Sequence, residues 1–128
     1  MHAHIPVITI LTCLLMLAAM VVVGMCRGKY KVLAPATSGH PTFERAFRAQ
    51  ANTVEQVLIF LPLLWVAHSY GYSTWAAYFG YAWLIGRTWY LIGYIQEAGK
   101  RSMGFLISSL AAGGLLVLCL MGAFKSFF

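Results

Sequence analysis

Residues Ile5–Cys26 read IPVITILTCLLMLAAMVVVGMC, twenty-two positions without a charged side chain. At about 1.5 Å of rise per residue, a helix of that length covers about 33 Å, enough to cross the hydrocarbon core of a bilayer with slight tilt. A secretory signal would place Lys or Arg ahead of an apolar core of about 7–15 residues. Here no Lys or Arg precedes the run, and Arg27, Lys29 and Lys31 follow it instead. The segment reads as a retained first membrane helix.

Of 128 residues, 61% are hydrophobic and 9% charged, against about 25% charged in soluble domains, so a water-soluble globule is excluded. Four spans of about 20 residues fill most of such a chain and leave room for one domain, residues 1–128. The pattern predicts helices at about 5–26, 43–69, 75–97 and 103–124: an all-α, four-transmembrane-helix antiparallel bundle with short connections. Pro35, Gly39 and Pro41 break up the first connection. Thr42 suits an N-cap with Glu44 in the first turn, and Pro62 predicts a kink in the second helix. The third span is rich in Trp and Tyr, as at membrane interfaces.

Nine Lys and Arg stand against three Glu and no Asp. The basic residues lie inside or beside apolar stretches, which argues against nucleic acid as a partner. Loops 27–42 and 97–102 hold Arg27, Lys29, Lys31, Lys100 and Arg101, whereas the second connection has no Lys or Arg, so the positive-inside rule places these two loops in the cytoplasm. Lys125 is the one contrary charge. Cys13, Cys26 and Cys119 lack CxxC spacing and the four histidines are scattered, so neither a disulfide framework nor a metal site is indicated.

The second helix has a purely apolar run only from Val57 to Ala67, so part of the polar stretch Arg45–Gln56 must enter the bilayer or its interface. At about 100° per residue, Arg45, Arg48, Asn52, Glu55 and Gln56 form one stripe. Arg87, Tyr90, Tyr94, Glu97 and, if the helix continues through Gly99, Arg101 form a second on the third helix. Charges at membrane depth face a partner or a wet cavity. Ion pairs between helices could absorb some of them, but Arg27, Arg45, Arg48, Arg87 and Arg101 outnumber Glu44, Glu55 and Glu97. The excess of guanidinium predicts an anionic ligand, and an amine on it would suit Glu55.

The segment Phe43-Glu44-Arg45-Ala46-Phe47-Arg48-Ala49-Gln50-Ala51-Asn52-Thr53-Val54-Glu55 resembles the signature of the MAPEG family, the membrane-associated proteins in eicosanoid and glutathione metabolism. The resemblance extends to Arg87, Tyr90, Gly93, Tyr94 and Arg101 in and after the third helix and to Arg27 after the first, and it covers nearly the whole chain. It implies a homotrimer of four-helix subunits that binds glutathione between helices of neighbouring subunits. By matching position, Arg48, Gln50, Asn52 and Glu55 would hold the peptide part, Arg27 a carboxylate, with Arg87, Tyr90 and Tyr94 nearby. Arg101 matches the arginine that stabilises the thiolate. Gln56 stands where some members have tyrosine, and Gly28 follows Arg27 where some have paired arginines.

The activity so implied is transfer of glutathione, used as a co-substrate without a metal, to lipophilic electrophiles arriving from the membrane lipid, with glutathione peroxidase activity on lipid hydroperoxides as an extension. The alternative is a non-catalytic lipid-binding or scaffold member of the family. A multi-pass protein of a bacterial inner membrane is the expected setting.

Overall fold

Apolar residues recur along each span at helical spacing, and the computed structural model, which describes residues 2–128, places four long helices there among the described residues. These are α1 (His4–Tyr30), α2 (Pro41–Ser69), α3 (Ser73–Gln96) and α4 (Ser102–Phe127), the last entered through a short 3-10 turn, Ala98–Arg101. The chain is an all-α membrane bundle.

The ends differ from the sequence expectation for local reasons. α1 runs past Cys26 to Tyr30, because Arg27 and Lys29 in its last turn complement the negative end of the helix dipole. Lys31 then closes it in the left-handed conformation, φ 57°. α2 starts earlier than expected, and its N-cap is His40 in place of Thr42: the His40 Nδ1 accepts from the Thr42 N–H at 3.1 Å. Pro41 takes the first helical position, where its missing N–H leaves nothing unsatisfied. Through Pro62, which is exposed, α2 stays one continuous helix.

α2 and α3 form the centre of the bundle; each packs against α1 and α4 as well as against the other. One stripe of α1 is buried there, Ile5, Ile8, Thr12, Ala19 and Val23, at spacings of a single helix face. Phe60 of α2 stacks on Trp83 of α3 with ring centroids 4.0 Å apart and planes within 3°, surrounded by Ile8, Leu64, Ala77 and Leu115. The opposite faces carry Ile10, Val21, Leu58, Ile85, Leu110 and Leu120 exposed, an exterior suited to lipid rather than water. α1, α2 and the Ala98–Phe127 segment are each long and apolar enough to cross a membrane. α3, held among them, has 24 residues, about 36 Å of helix.

The α3–α4 seam is the closest in the bundle. A Cβ on Gly104 would lie 2.6 Å from the Gly86 carbonyl oxygen, and one on Gly86 would lie 2.8 Å from the Ser108 backbone nitrogen. Two glycines therefore let the backbones touch, as small residues do in membrane helix pairs. At the end of that seam Glu97 is extended (φ −163°, ψ 133°) and terminates α3. The chain folds back so tightly that a Cβ on Gly93 would meet the Lys100 carbonyl at 2.6 Å. Packing thus delivers the start of α4 to the polar faces of α2 and α3.

Candidate functional site

Where these three elements meet, a cavity of about 500 Å³ is lined by Asn52, Glu55 and Gln56 from α2, Arg87 and Tyr90 from α3, and Arg101, Ser102 and Phe105 around the start of α4. Its inner wall is Arg87, 1% exposed. The guanidinium donates from Nε to the Thr53 hydroxyl at 3.0 Å and from Nη1 to the Ser108 hydroxyl at 3.4 Å. It also lies 3.8 Å over the Tyr90 ring, a cation–π contact that gains strength away from water. All three neighbours are uncharged. Arg87 therefore brings a positive charge into the wall of the cavity with no carboxylate among its hydrogen-bond partners.

Asn52 donates from Nδ2 to the Tyr90 hydroxyl at 2.9 Å. With its oxygen accepting there, the Tyr90 O–H is left to donate elsewhere, and Tyr90 lines the cavity. Tyr94 meets Tyr90 edge-on at 5.6 Å and has the Arg101 guanidinium 5.0 Å over its ring. Arg101 itself is exposed at the rim and donates to the Ala98 carbonyl at 3.2 Å. Glu55, also exposed, supplies the one carboxylate of the lining.

Of the nine site residues expected from sequence, the fold brings Asn52, Glu55, Arg87, Tyr90 and Arg101 onto one cavity and sets Tyr94 behind two of them. Arg101 arrives by a different route from a continued third helix. α3 stops at Gln96, and Arg101 is carried in by the chain reversal and the 3-10 turn Ala98–Arg101 that leads into α4. Arg27, Arg48 and Gln50 lie outside the cavity. Arg27 donates to the Ala36 carbonyl at 2.8 Å and the Val32 carbonyl at 3.4 Å, and stacks over Phe43 at 4.7 Å, bracing the α1–α2 loop. Arg48 is exposed. Gln50, two residues before Asn52, points about 160° away around the helix.

Arg45 belongs to the polar stripe but serves the fold: its Nε donates to the Ile95 carbonyl at 3.1 Å and its Nη2 to the Thr42 hydroxyl at 3.4 Å, pinning the start of α2 to the end of α3. Sequence reasoning passed over Thr53, Ser108, Ser102 and Phe105. The signal was there for two of them: Phe105 and Ser108 follow Arg101 at four and seven residues, one face of a helix. Among the described residues no group of three His, Cys, Asp or Glu side chains is placed to hold a metal ion.

The lining combines two guanidinium groups, one carboxylate, a phenol, two amides and an aromatic wall. That set complements a small, flexible ligand with more negative than positive charge, adjoining an apolar phase. The MAPEG family model matches residues 5–121. The chain belongs to the MAPEG family. This MAPEG protein is 46% identical over 110 residues to an uncharacterized protein of Synechocystis sp., a match covering 86% of this chain and 80% of that one. It is 46% identical over 101 residues to human microsomal glutathione S-transferase 2, covering 79% of this chain and 67% of the relative. Leukotriene C4 synthase of Cavia porcellus is 35% identical over 125 residues, with 98% and 83% covered.

Proposed function

We propose that this MAPEG protein is an integral-membrane glutathione transferase. The observation that carries the reading is the convergence of Glu55, Asn52, Tyr90, Arg87 and Arg101 on one cavity in a chain whose relatives include a glutathione S-transferase and leukotriene C4 synthase. Glutathione at neutral pH has two carboxylates and one ammonium. The Glu55 carboxylate pairs with the ammonium, Asn52 and Tyr90 hydrogen-bond the peptide, and Arg87 attracts an anionic group at the inner wall.

Arg101 has the chemical step. A free thiol has a pKa of about 8.5 and its thiolate is the nucleophile, so a guanidinium beside the sulfur raises the thiolate fraction near neutral pH. The thiolate attacks the electrophilic carbon of a lipophilic substrate, the new S–C bond forms, and the leaving group departs with the electron pair, or an activated alkene takes up a proton. Phe105 and the exposed leucines of α4 give such a substrate an apolar approach from the bilayer. The same thiolate can attack the terminal oxygen of a lipid hydroperoxide: the O–O bond breaks, the alkoxide leaves and is protonated to the alcohol, and a second glutathione thiol displaces water from the resulting sulfenic acid to give the disulfide.

Arg27 and Gln50 complete the site in a homotrimer, where the outward Gln50 faces the cavity of a neighbouring subunit and Arg27 reaches a glutathione carboxylate across the interface, while the exposed Arg48, one turn before Asn52 on the same face of α2, meets the ligand at the edge of its own subunit's cavity. The basic stretches 27–42 and 97–102, helix ends together with their connections, lie on the cytoplasmic side of a bacterial inner membrane, where reduced glutathione is available. The test is an ultraviolet difference titration of detergent-purified protein with glutathione near neutral pH. A saturable thiolate band, absent in Arg101→Ala, is expected. No glutathione binding by calorimetry on the same sample would overturn the reading.

A further inference from the structure

Arg87 is held by two hydroxyls whose own hydrogens are already committed. Thr53 Oγ1 donates to the Ala49 carbonyl at 2.8 Å, one turn back along α2. Ser108 Oγ donates to the Phe105 carbonyl at 3.2 Å, one turn back along α4. Each hydroxyl proton is thus pinned to its own helix, and each oxygen turns its lone pairs to the guanidinium. Thr53 and Ser108 are both fully buried. Two helices therefore hold a third helix's cation, α2 through Nε and α4 through Nη1, while the guanidinium lies 3.8 Å over the Tyr90 ring.

A plain structural arginine would not be built this way. A buried cation is tolerated when a carboxylate neutralises it, and here both hydrogen-bond partners are neutral acceptors that orient the group without discharging it. Nη2 takes part in neither bond, and the residue lines the cavity. The arrangement fixes the direction of the guanidinium and leaves its charge for something that enters.

We propose that Thr53 and Ser108 are positioning residues that hold Arg87 as a preset anion receptor, and that the counter-ion of Arg87 is a negatively charged group of the bound ligand at the inner wall of the cavity. This rests on the glutathione reading for the identity of the ligand, though not for its charge. Neither hydroxyl touches the ligand; both act through Arg87. The preset direction means that binding need not order a flexible side chain, which is where preorganised sites gain affinity.

The experiment compares wild type, Thr53→Ser, Thr53→Val, Ser108→Ala and the Thr53→Val/Ser108→Ala double variant, purified in detergent. Calorimetry measures the Kd of glutathione and of three analogues: the glycine carboxamide, the γ-glutamyl α-carboxamide and S-methylglutathione. Thr53→Val and Ser108→Ala are expected to raise the Kd of glutathione tenfold or more, with Thr53→Ser near wild type. One analogue, the one lacking the group that meets Arg87, loses about tenfold on wild type and less than twofold on the double variant. Wild-type affinity in the variants with only a lower Tm, or equal losses for every analogue in wild type and double variant, would overturn the clamp.

A separate measurement keeps the two readings apart. Inorganic phosphate at constant ionic strength is expected to raise the Tm of wild type and not that of the double variant. If wild type binds no glutathione yet shows this difference, the glutathione reading falls and the clamp stands. Without any anion effect in wild type, the clamp falls. Should the double variant not fold, each single variant carries the same comparison.

Discussion

Replacing Gly104 by alanine adds one methyl group at the α3–α4 seam, and the structure sets its cost. The new Cβ would stand 2.6 Å from the Gly86 carbonyl oxygen and closer still to the Tyr90 backbone nitrogen. Comfortable C···O contacts are about 3.3–3.6 Å, so α4 must retreat by about 0.7–1 Å. The obstructing atoms are backbone, so no side chain can swing aside. Overpacking of this kind costs about 1–3 kcal/mol, and the better helix propensity of alanine returns about 0.8–1.0 kcal/mol. Taking the upper part of the first range, Gly104→Ala should destabilise the bundle by about 2 kcal/mol. The retreat also lengthens the Arg87–Ser108 bond, already 3.4 Å, beyond hydrogen-bonding range. Thermal unfolding in detergent followed by circular dichroism, with and without glutathione, reads both effects: a lower Tm and a smaller ligand-induced rise. Gly113→Ala is the control, since a Cβ there meets nothing within 4 Å, and its Tm should equal or exceed wild type. Equal Tm values for the two variants, with equal glutathione responses, would refute the seam as the device that assembles the cavity.

Phe60→Ala removes the ring stacked on Trp83 and should cost about 3 kcal/mol, the lower end for a buried phenylalanine, because in a bilayer the lost packing and the cavity remain while little is gained by burial from lipid; denaturant melts measure it. Glu55→Ala should weaken glutathione by about 1.5–3 kcal/mol, the worth of a hydrogen bond to a charged group, while leaving an analogue without the amino group unaffected in calorimetry. Arg101→Ala should keep the glutathione Kd within a few-fold and lose the thiolate band and turnover, so a variant with full turnover would remove Arg101 from the chemistry.

The uncharged run from Ile5 to Cys26 made the membrane fold legible at once, because a stretch of that length and composition has few other stable settings. The stripe of Asn52, Glu55 and Gln56 was legible for the converse reason: polar groups on one face of a membrane helix call for a partner. The route of Arg101 was not. Whether α3 continues through Gly99 depends on how closely Gly93 can approach Lys100, a contact across a chain reversal that no helical period encodes. Thr53 and Ser108 were hidden differently, since a hydroxyl bonded back to its own helix is common and only the arriving guanidinium distinguishes it. Arg27 reads as a membrane-edge cation, and its grip on Ala36 is fixed by an irregular loop.

The glycine seam also bears on how such a site can change its diet. Gly86 and Gly104 already hold the smallest residue there is, and mutation at either can only push the helices apart. The spacing between α3 and α4 is therefore closed to gradual change. Room for a bulkier or differently shaped acceptor has to come from the other surfaces, Gln56 on α2 and Phe105 on α4, so a library for retargeting this enzyme should vary those two positions and leave the seam untouched.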